Sequence, residues 1–254
     1  MSWRSLAALV AFGLLWELAG RLSWIDPVLL AYPSQIATEA VRLFRSGALV
    51  ADTAYTLRVF AASLALAWVA GVSVGFVIGY SRLAHDLLSP FLAVANAMPK
   101  IVLMPLVLLW LGIGAAASVF LGALMASFPI LTSVRQGVTS LDPDLVRLAR
   151  VYGASRGLFF RRVLLPALTP FVLSGMRVAL SYGMVGVLIA EFFGANRGLG
   201  YRMVLYTANF EVPAFFVCVT VVAVQILVLG ALLQALERRA EGWRPSAFAL
   251  PRVR

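Results

Sequence analysis

The chain has 254 residues, 62% of them hydrophobic and 13% charged, with a formal net charge of +10. A soluble domain carries about 45–50% apolar and about 25% charged residues, so an ordinary soluble protein is excluded; the mean hydropathy is +0.94. Cys218 and His85 are the only cysteine and histidine, which excludes an intrachain disulfide, an HExxH zinc site and any two-histidine metal or haem site within one chain.

Several apolar runs reach the ~20 residues that a helix needs to cross a bilayer. The first runs from Ser5 to Trp24. It follows Arg4, as a signal peptide would, but it contains Glu17 and Arg21 and no small-residue cleavage site follows it, so it reads as a membrane helix. Pro33 to Gly47 is amphipathic: Ile36, Ala40, Leu43 and Phe44 share one face, with Glu39, Arg42 and Arg45 elsewhere. An interfacial helix is expected there. The second span is expected over Leu57 to Tyr80, with Gly71, Gly75 and Gly79 on one face, a spacing that lets two helices approach closely.

Residues 87–134 hold enough apolar sequence for two more spans, with Gly112-Ile113-Gly114 as the turn between them. Pro90, Pro99 and Pro105 are expected to bend or break the first of the two. A polar loop follows from Arg135 to about Arg162, then a fifth span over Leu168 to Phe193 and a sixth over Val212 to Leu236. Gly194 to Gly200 reads as a glycine-rich turn, and Glu237-Arg238-Arg239 opens a basic tail.

Six spans place both termini on one side. If that side is the cytoplasm, thirteen basic residues lie there: Arg4, Arg82, six in the 135–162 loop and five in the tail. Six lie opposite, at Arg21, Arg42, Arg45, Arg58, Arg197 and Arg202. The excess of arginine and lysine in cytoplasmic loops favours this orientation. The same bias accounts for the net charge without nucleic acid, and membrane lipid is the expected surrounding.

The polar loop is built as helix, turn, helix. Asp142 suits an N-cap and Pro143 the first helical position. Gly153 suits the left-handed stop of that helix, and Ser155 can cap a second one carrying Arg161 and Arg162. Ala149 and Gly153 are small and four apart, so their face can lie close against another protein. Pro166 and Pro170 then mark the start of the fifth span. A membrane protein exposing one compact element of this kind points to a driven transporter subunit more than to an enzyme or a passive pore.

Here the chain resembles a known family. Ala149-x-x-x-Gly153, nine residues, then Val163-x-Leu165-Pro166 is similar to the cytoplasmic "EAA" pattern of ABC importer permeases. It departs from that pattern at Arg147 and Leu148, where the family often has Glu and Ala. Pro33-Ser34, Ala97-Met98-Pro99, Leu109-Trp110-Leu111-Gly112-Ile113-Gly114, Phe128-Pro129-Ile130, Gly175-Met176-Arg177, Ala190-Glu191 and Gly198-Leu199-Gly200-Tyr201 resemble the nitrate/sulfonate/taurine group of those permeases.

The resemblance implies an all-α polytopic fold of about six transmembrane helices, of the type I importer kind. It implies one permease subunit working by alternating access, with two ABC ATPase subunits, a second permease copy forming a homodimer, and an extracytoplasmic solute-binding protein. Coupling to the ATPase falls to Leu145, Leu148, Ala149, Tyr152, Gly153, Ala154, Leu165 and Pro166. The implied location is the bacterial inner membrane, with both termini cytoplasmic. The division is residues 1–56 for the first helix and external segment, 57–236 for the permease core with coupling loop 136–165, and 237–254 for the basic tail.

A Walker A site needs Gly-Lys followed by Ser or Thr. Lys100, the only lysine, follows Pro99, so ATP would have to be bound by another subunit, and the chain is expected to need no cofactor. Gly153-Ala154-Ser155-Arg156-Gly157 formally matches GxSxG, but that motif requires a strand-turn-helix setting, and helix capping is the simpler role for Ser155.

Lys100, Arg177 and Glu191 are ionisable groups within or near spans, where they usually face a bundle interior or an aqueous path. With Met98 they are candidates for a translocation path, and the two cations suit an anionic solute. The competing roles are snorkelling for Arg177 and structural pairing for Glu191. A secondary transporter or channel independent of ATP remains the alternative, to be recognised by internal repeats and mid-membrane coupling pairs. An intramembrane serine hydrolase using Ser155 is the third reading.

Overall fold

The computed structural model describes residues 3–22, 24, 26 and 29–241. The last thirteen residues of the expected basic tail, 242–254, lie outside the described residues. The described residues are built from helices: α1 (Trp3–Arg21), α2 (Pro33–Arg45), α3 (Ala48–Tyr80), α4 (Arg82–Ala97), α5 (Met104–Leu111), α6 (Ala115–Thr139), α7 (Pro143–Val151), α8 (Arg156–Phe159), α9 (Leu165–Gly194), α10 (Leu199–Ala208) and α11 (Val212–Glu241). Five stretches are long and apolar enough to cross a membrane, and the bent pair Arg82–Ala97 and Lys100–Leu111 adds a sixth where the two halves count as one broken span.

The break in that pair falls at Met98-Pro99. A residue before proline is pushed to extended backbone, and Met98 sits at φ −72°, ψ 131°. A short 3-10 turn, Lys100–Leu103, then leads into α5, where Pro105 occupies the first turn. There a missing N–H costs nothing. Pro90 stays inside α4. Of the three prolines expected to interrupt the span, only Pro99 does so.

Two compact units divide the chain. One comprises Leu64–Pro99, Ala123–Gly183 and Ile226–Arg254. Its core is Ala67, Ala123, Ala126, Ile130, Val134 and Ala179, with Val72, Phe76 and Met176 packed against it. Five of those six core residues are alanine or valine, and the helices correspondingly meet at close range. The Gly71-Gly75-Gly79 stripe of α3 lies on α6: a Cβ at Gly71 would stand 2.8 Å from Ile130, at Gly75 2.6 Å from the Leu131 carbonyl oxygen, and at Gly79 2.7 Å from Val138. On the same helix, a Cβ at Gly175 of α9 would stand 3.0 Å from the Pro129 carbonyl oxygen. The stripe is a packing seam within one chain.

The other unit comprises Met1–Ser63, Lys100–Gly122 and Met184–Gln225. Here Gly122 of α6 and Gly186 of α9 meet backbone to backbone, and Gly194 packs on Leu108 of α5. The α5–α6 turn uses left-handed glycines, Gly112 at φ 72° and Gly114 at φ 133°, and the Gly114 N–H donates to the Gly194 carbonyl at 2.7 Å. The amphipathic α2 is anchored to α1, because Glu17 accepts from Arg21 Nε at 2.6 Å and from the Ser34 N–H at 2.9 Å.

Three boundaries differ from the sequence expectation. The second span starts at Ala48, nine residues before Leu57, so the 56/57 division falls inside α3. Its polar first turns are helical because Asp52 and Thr56 are buried and bonded. The segment after Gly198 is a ten-residue helix, α10. The fifth span has no break at its prolines, and helix runs from Arg156 to Gly194. Proline inside a helix clashes with the carbonyl four residues earlier. Ahead of Pro166 the turn widens to π geometry over Phe160–Leu164, with the Leu165 N–H donating to the Phe160 carbonyl, which makes room for the ring.

Candidate functional site

The helix-turn-helix of the polar loop is organised by local chemistry that its sequence prescribes. The Asp144 N–H donates to Asp142 Oδ1 at 2.8 Å, which caps α7. At the other end Gly153 takes φ 68°, and the Ala154 N–H donates back to the Ala149 carbonyl at 2.9 Å. This is the six-to-one bond of a Schellman stop, which needs a left-handed residue where Gly153 stands. Ser155 Oγ then accepts from the Leu158 N–H at 3.3 Å and caps the next helix. The hydroxyl therefore serves the turn, in helical surroundings.

A short amphipathic helix is thus held between two stops with one face uncovered. Leu145, Ala149 and Ala154 are half-buried, and Gly153 is exposed. Leu148 is 51% exposed and Tyr152 85%. Leu165 and Pro166 are also exposed, at the start of α9. Val151 belongs to this uncovered set at 82% exposure, although the family pattern does not mark it. Exposed apolar groups of this kind mark a surface that meets another protein or the membrane.

The expected translocation-path residues fall into two groups. Met98 and Arg177 belong to one unit, Lys100 and Glu191 to the other. Arg177 on α9 forms an ion pair with Glu237 near the end of α11. Its side chain stays 57% exposed while that of Glu237 is 13% exposed. Met98 is the extended residue of the Pro99 break, and Lys100 opens the 3-10 turn behind it, half-buried. If Arg177–Glu237 is a tie between helices, exchanging its charges (Arg177→Glu with Glu237→Arg) should restore the melting temperature that either single reversal lowers. A thermal melt of the four proteins in detergent tests this, and a double variant no better than the singles would reject the tie.

Glu191 is fully buried. Its carboxylate accepts the Thr56 hydroxyl at 2.9 Å and the Gly200 N–H at 2.8 Å. Thr56 Oγ1 in turn accepts the Leu199 N–H at 2.8 Å, and Asp52 Oδ1 accepts the Gly198 N–H at 3.0 Å. Arg202 Nε donates to Asp52 Oδ2 at 2.5 Å. That hydrogen bond, more than the Coulombic attraction, holds the Arg202 guanidinium above its ordinary pKa. Sequence reading missed Asp52, Thr56 and Arg202. The available signal was two polar residues four apart, hence on one helix face, at the edge of an apolar run. Among the described residues no three His, Cys, Asp or Glu side chains gather to hold a metal ion.

The chain is similar to known proteins over most of its length. The profile of the family described as "Binding-protein-dependent transport system inner membrane component" matches residues 67–242. A probable ABC transporter permease protein of Brucella abortus (strain 2308) is 33% identical over 87% of this chain and 88% of its own length. A putative aliphatic sulfonates transport permease protein of Escherichia coli (strain K12) is 31% identical, over 69% and 67%. The MetNI methionine ABC transporter, solved in an inward-facing conformation, shares the fold, with a TM-score of 0.65 at 21% identity over 79% of this chain and 98% of that one.

Proposed function

We propose, from the premise that this chain belongs to the family of binding-protein-dependent transport system inner-membrane components, that it couples to its ATPase through α7 and carries a small anionic solute. Membership makes it the membrane subunit of an ATP-driven ABC importer that works by alternating access, not an enzyme; ATP is hydrolysed by a separate subunit, and a solute-binding protein delivers the cargo. The finer reading is ours. Two copies of this chain line the pathway, two ATPases sit beneath them on the cytoplasmic side, and both termini face that side.

The observation that carries the coupling assignment is the uncovered apolar face of α7, held rigid by the Asp142 cap and the Gly153 stop. Leu145, Leu148, Ala149, Tyr152, Gly153 and Ala154 form its contact set, with Leu165 and Pro166 at the start of the helix that would take up the motion. An anionic solute is favoured by Lys100 beside the Met98-Pro99 break and by the relatives named for aliphatic sulfonates and taurine. Other relatives are named for riboflavin and formylaminopyrimidine, so the fold itself does not select the cargo.

Purification from native membranes in mild detergent, with mass spectrometry of what accompanies the chain, tests the reading. Wild type should retain an ABC ATPase, and Gly153→Glu should lose it. A side chain at φ 68° is strained by roughly 1–2 kcal/mol, and the new carboxylate would stand on the docking face. An ATPase held equally by both proteins would remove the coupling assignment. A reconstituted importer that takes up neither labelled taurine nor labelled alkanesulfonate but carries an uncharged or cationic solute would remove the anion assignment.

A further inference from the structure

The ten-residue α10 has no cap of its own. Its N-cap is Gly198, at φ 104°, with no side chain to accept a bond. The first N–H groups of a helix must nevertheless be satisfied, and in a dry interior each unsatisfied one costs several kcal/mol. Here three consecutive donors, Gly198, Leu199 and Gly200, are taken one each by Asp52, Thr56 and Glu191. The acceptors come from α3 and α9. Thr56 belongs to both sides of the network, accepting from Leu199 and donating its one hydroxyl proton to Glu191.

The fit leaves no slack. A Cβ at Gly198 would stand 2.5 Å from the Glu191 carboxylate carbon, and one at Gly200 2.7 Å from Glu191 Cβ. Asp52, Thr56 and Glu191 are 7%, 0% and 0% exposed, so water cannot replace a lost partner, and opening one bond strands the next. The other end of α10 is also pinned. Phe210 takes a left-handed φ of 58°, unusual for a residue with a bulky side chain. Behind it the Glu211 N–H donates to the Tyr206 carbonyl at 2.8 Å.

We propose that Glu191, with Thr56 and Asp52, is a positioning residue that clamps α10 to the end of α9 and the start of α3, so that α10 travels with that end of α9 as one piece through the transport cycle. The helix that ends at Glu191 and Gly194 runs without interruption from Arg156, directly after the docking element. The inference therefore rests on the coupling reading above and extends it: what α7 delivers to the start of that helix reaches α10 through side-chain caps, not through the 195–198 turn alone.

The test uses the permease–ATPase complex in nanodiscs, nucleotide-free and trapped with ATP and vanadate. Hydrogen exchange is followed in peptides covering residues 196–206. Wild type should show the same protection there in both states. Glu191→Leu should raise exchange at Leu199 to Arg202 about tenfold, the loss of one cap bond, while Glu191→Gln, which keeps an acceptor oxygen, should stay near wild type. Assembled Glu191→Leu complexes should also hydrolyse ATP severalfold faster at unchanged KM, because the ATPase no longer moves α10. A purely structural role would lower the yield of complex and leave kcat per complex alone.

Thr56→Val, nearly isosteric, supplies the second variant if Glu191→Leu fails to assemble, with the same expectations. Loss of wild-type protection on trapping would overturn the clamp, as would variants that exchange and hydrolyse like wild type. Absence of the ATPase from wild-type preparations would instead defeat the coupling reading itself.

Discussion

Gly75→Leu should prevent the chain from reaching a stable fold, and Gly75→Ala should lower its melting temperature in detergent on the order of 5 °C. Two effects compete at this position. Alanine in a helix interior is favoured over glycine by about 1 kcal/mol. Against that, its Cβ would lie 2.6 Å from the Leu131 carbonyl oxygen and 3.0 Å from Val134 Cβ. The first neighbour is backbone of α6 and cannot rotate away, so the two helices must separate along the whole Gly71-Gly75-Gly79 seam. Overpacking of this kind costs about 1–3 kcal/mol even for one methyl, which outweighs the propensity gain. Leucine multiplies the displaced volume. Gly230→Ala on α11 is the internal control: nothing lies within 4 Å of its Cβ, so only the propensity term acts and the melt should hold or rise. A Gly75→Ala protein as stable as Gly230→Ala would mean that α3 and α6 do not meet at this distance.

What could be read from the residues alone was whatever a local rule governs. The cap at Asp142, the stop at Gly153 and the cap at Ser155 each depend on a few neighbouring residues, and all three take the expected form. The glycine stripe of α3 announced close packing, though not that α6 would be its partner. Long-range pairing was invisible. Asp52 and Thr56 went unmarked because their partners, Gly198 and Leu199, lie more than 140 positions away. For the same reason Gly194 to Gly200 read as a turn throughout, when the turn covers 195–198 and α10 already starts at Leu199. Glu191 was conspicuous as a charge among apolar residues, but its commitment to Thr56 and Gly200 depends on three-dimensional proximity. The proline break shows the same limit. Pro99 interrupts its helix and Pro90 does not, a difference that the residues themselves do not announce.

The double variant Leu148→Asp, Tyr152→Asp should fold, insert and melt like wild type, yet bind the ATPase at least about 30-fold more weakly, the effect of losing about 2 kcal/mol at an interface anchor. The two halves of this expectation rest on separate observations. Tyr152 is 85% exposed and Leu148 51%, so replacing them removes little from the chain's own packing; exposed substitutions away from caps usually change stability by no more than about 0.5 kcal/mol. Neither side chain makes the Asp142 cap or the Ala154-to-Ala149 bond that shapes α7. On the docking face, however, they are the large apolar groups, and aromatic residues at the centre of an interface carry a disproportionate share of its energy. A buried aspartate there must also shed its hydration without a partner, which costs more than the lost contact alone. Titrating purified ATPase against nanodisc-embedded permease, beside a thermal melt of each protein, separates the two halves. Full affinity in the double variant would place the contact on another face of the loop, where Arg156, Arg161 and Arg162 are the next exposed group. A lowered melt with proportionate loss of binding would show that α7 needs these side chains for its own fold.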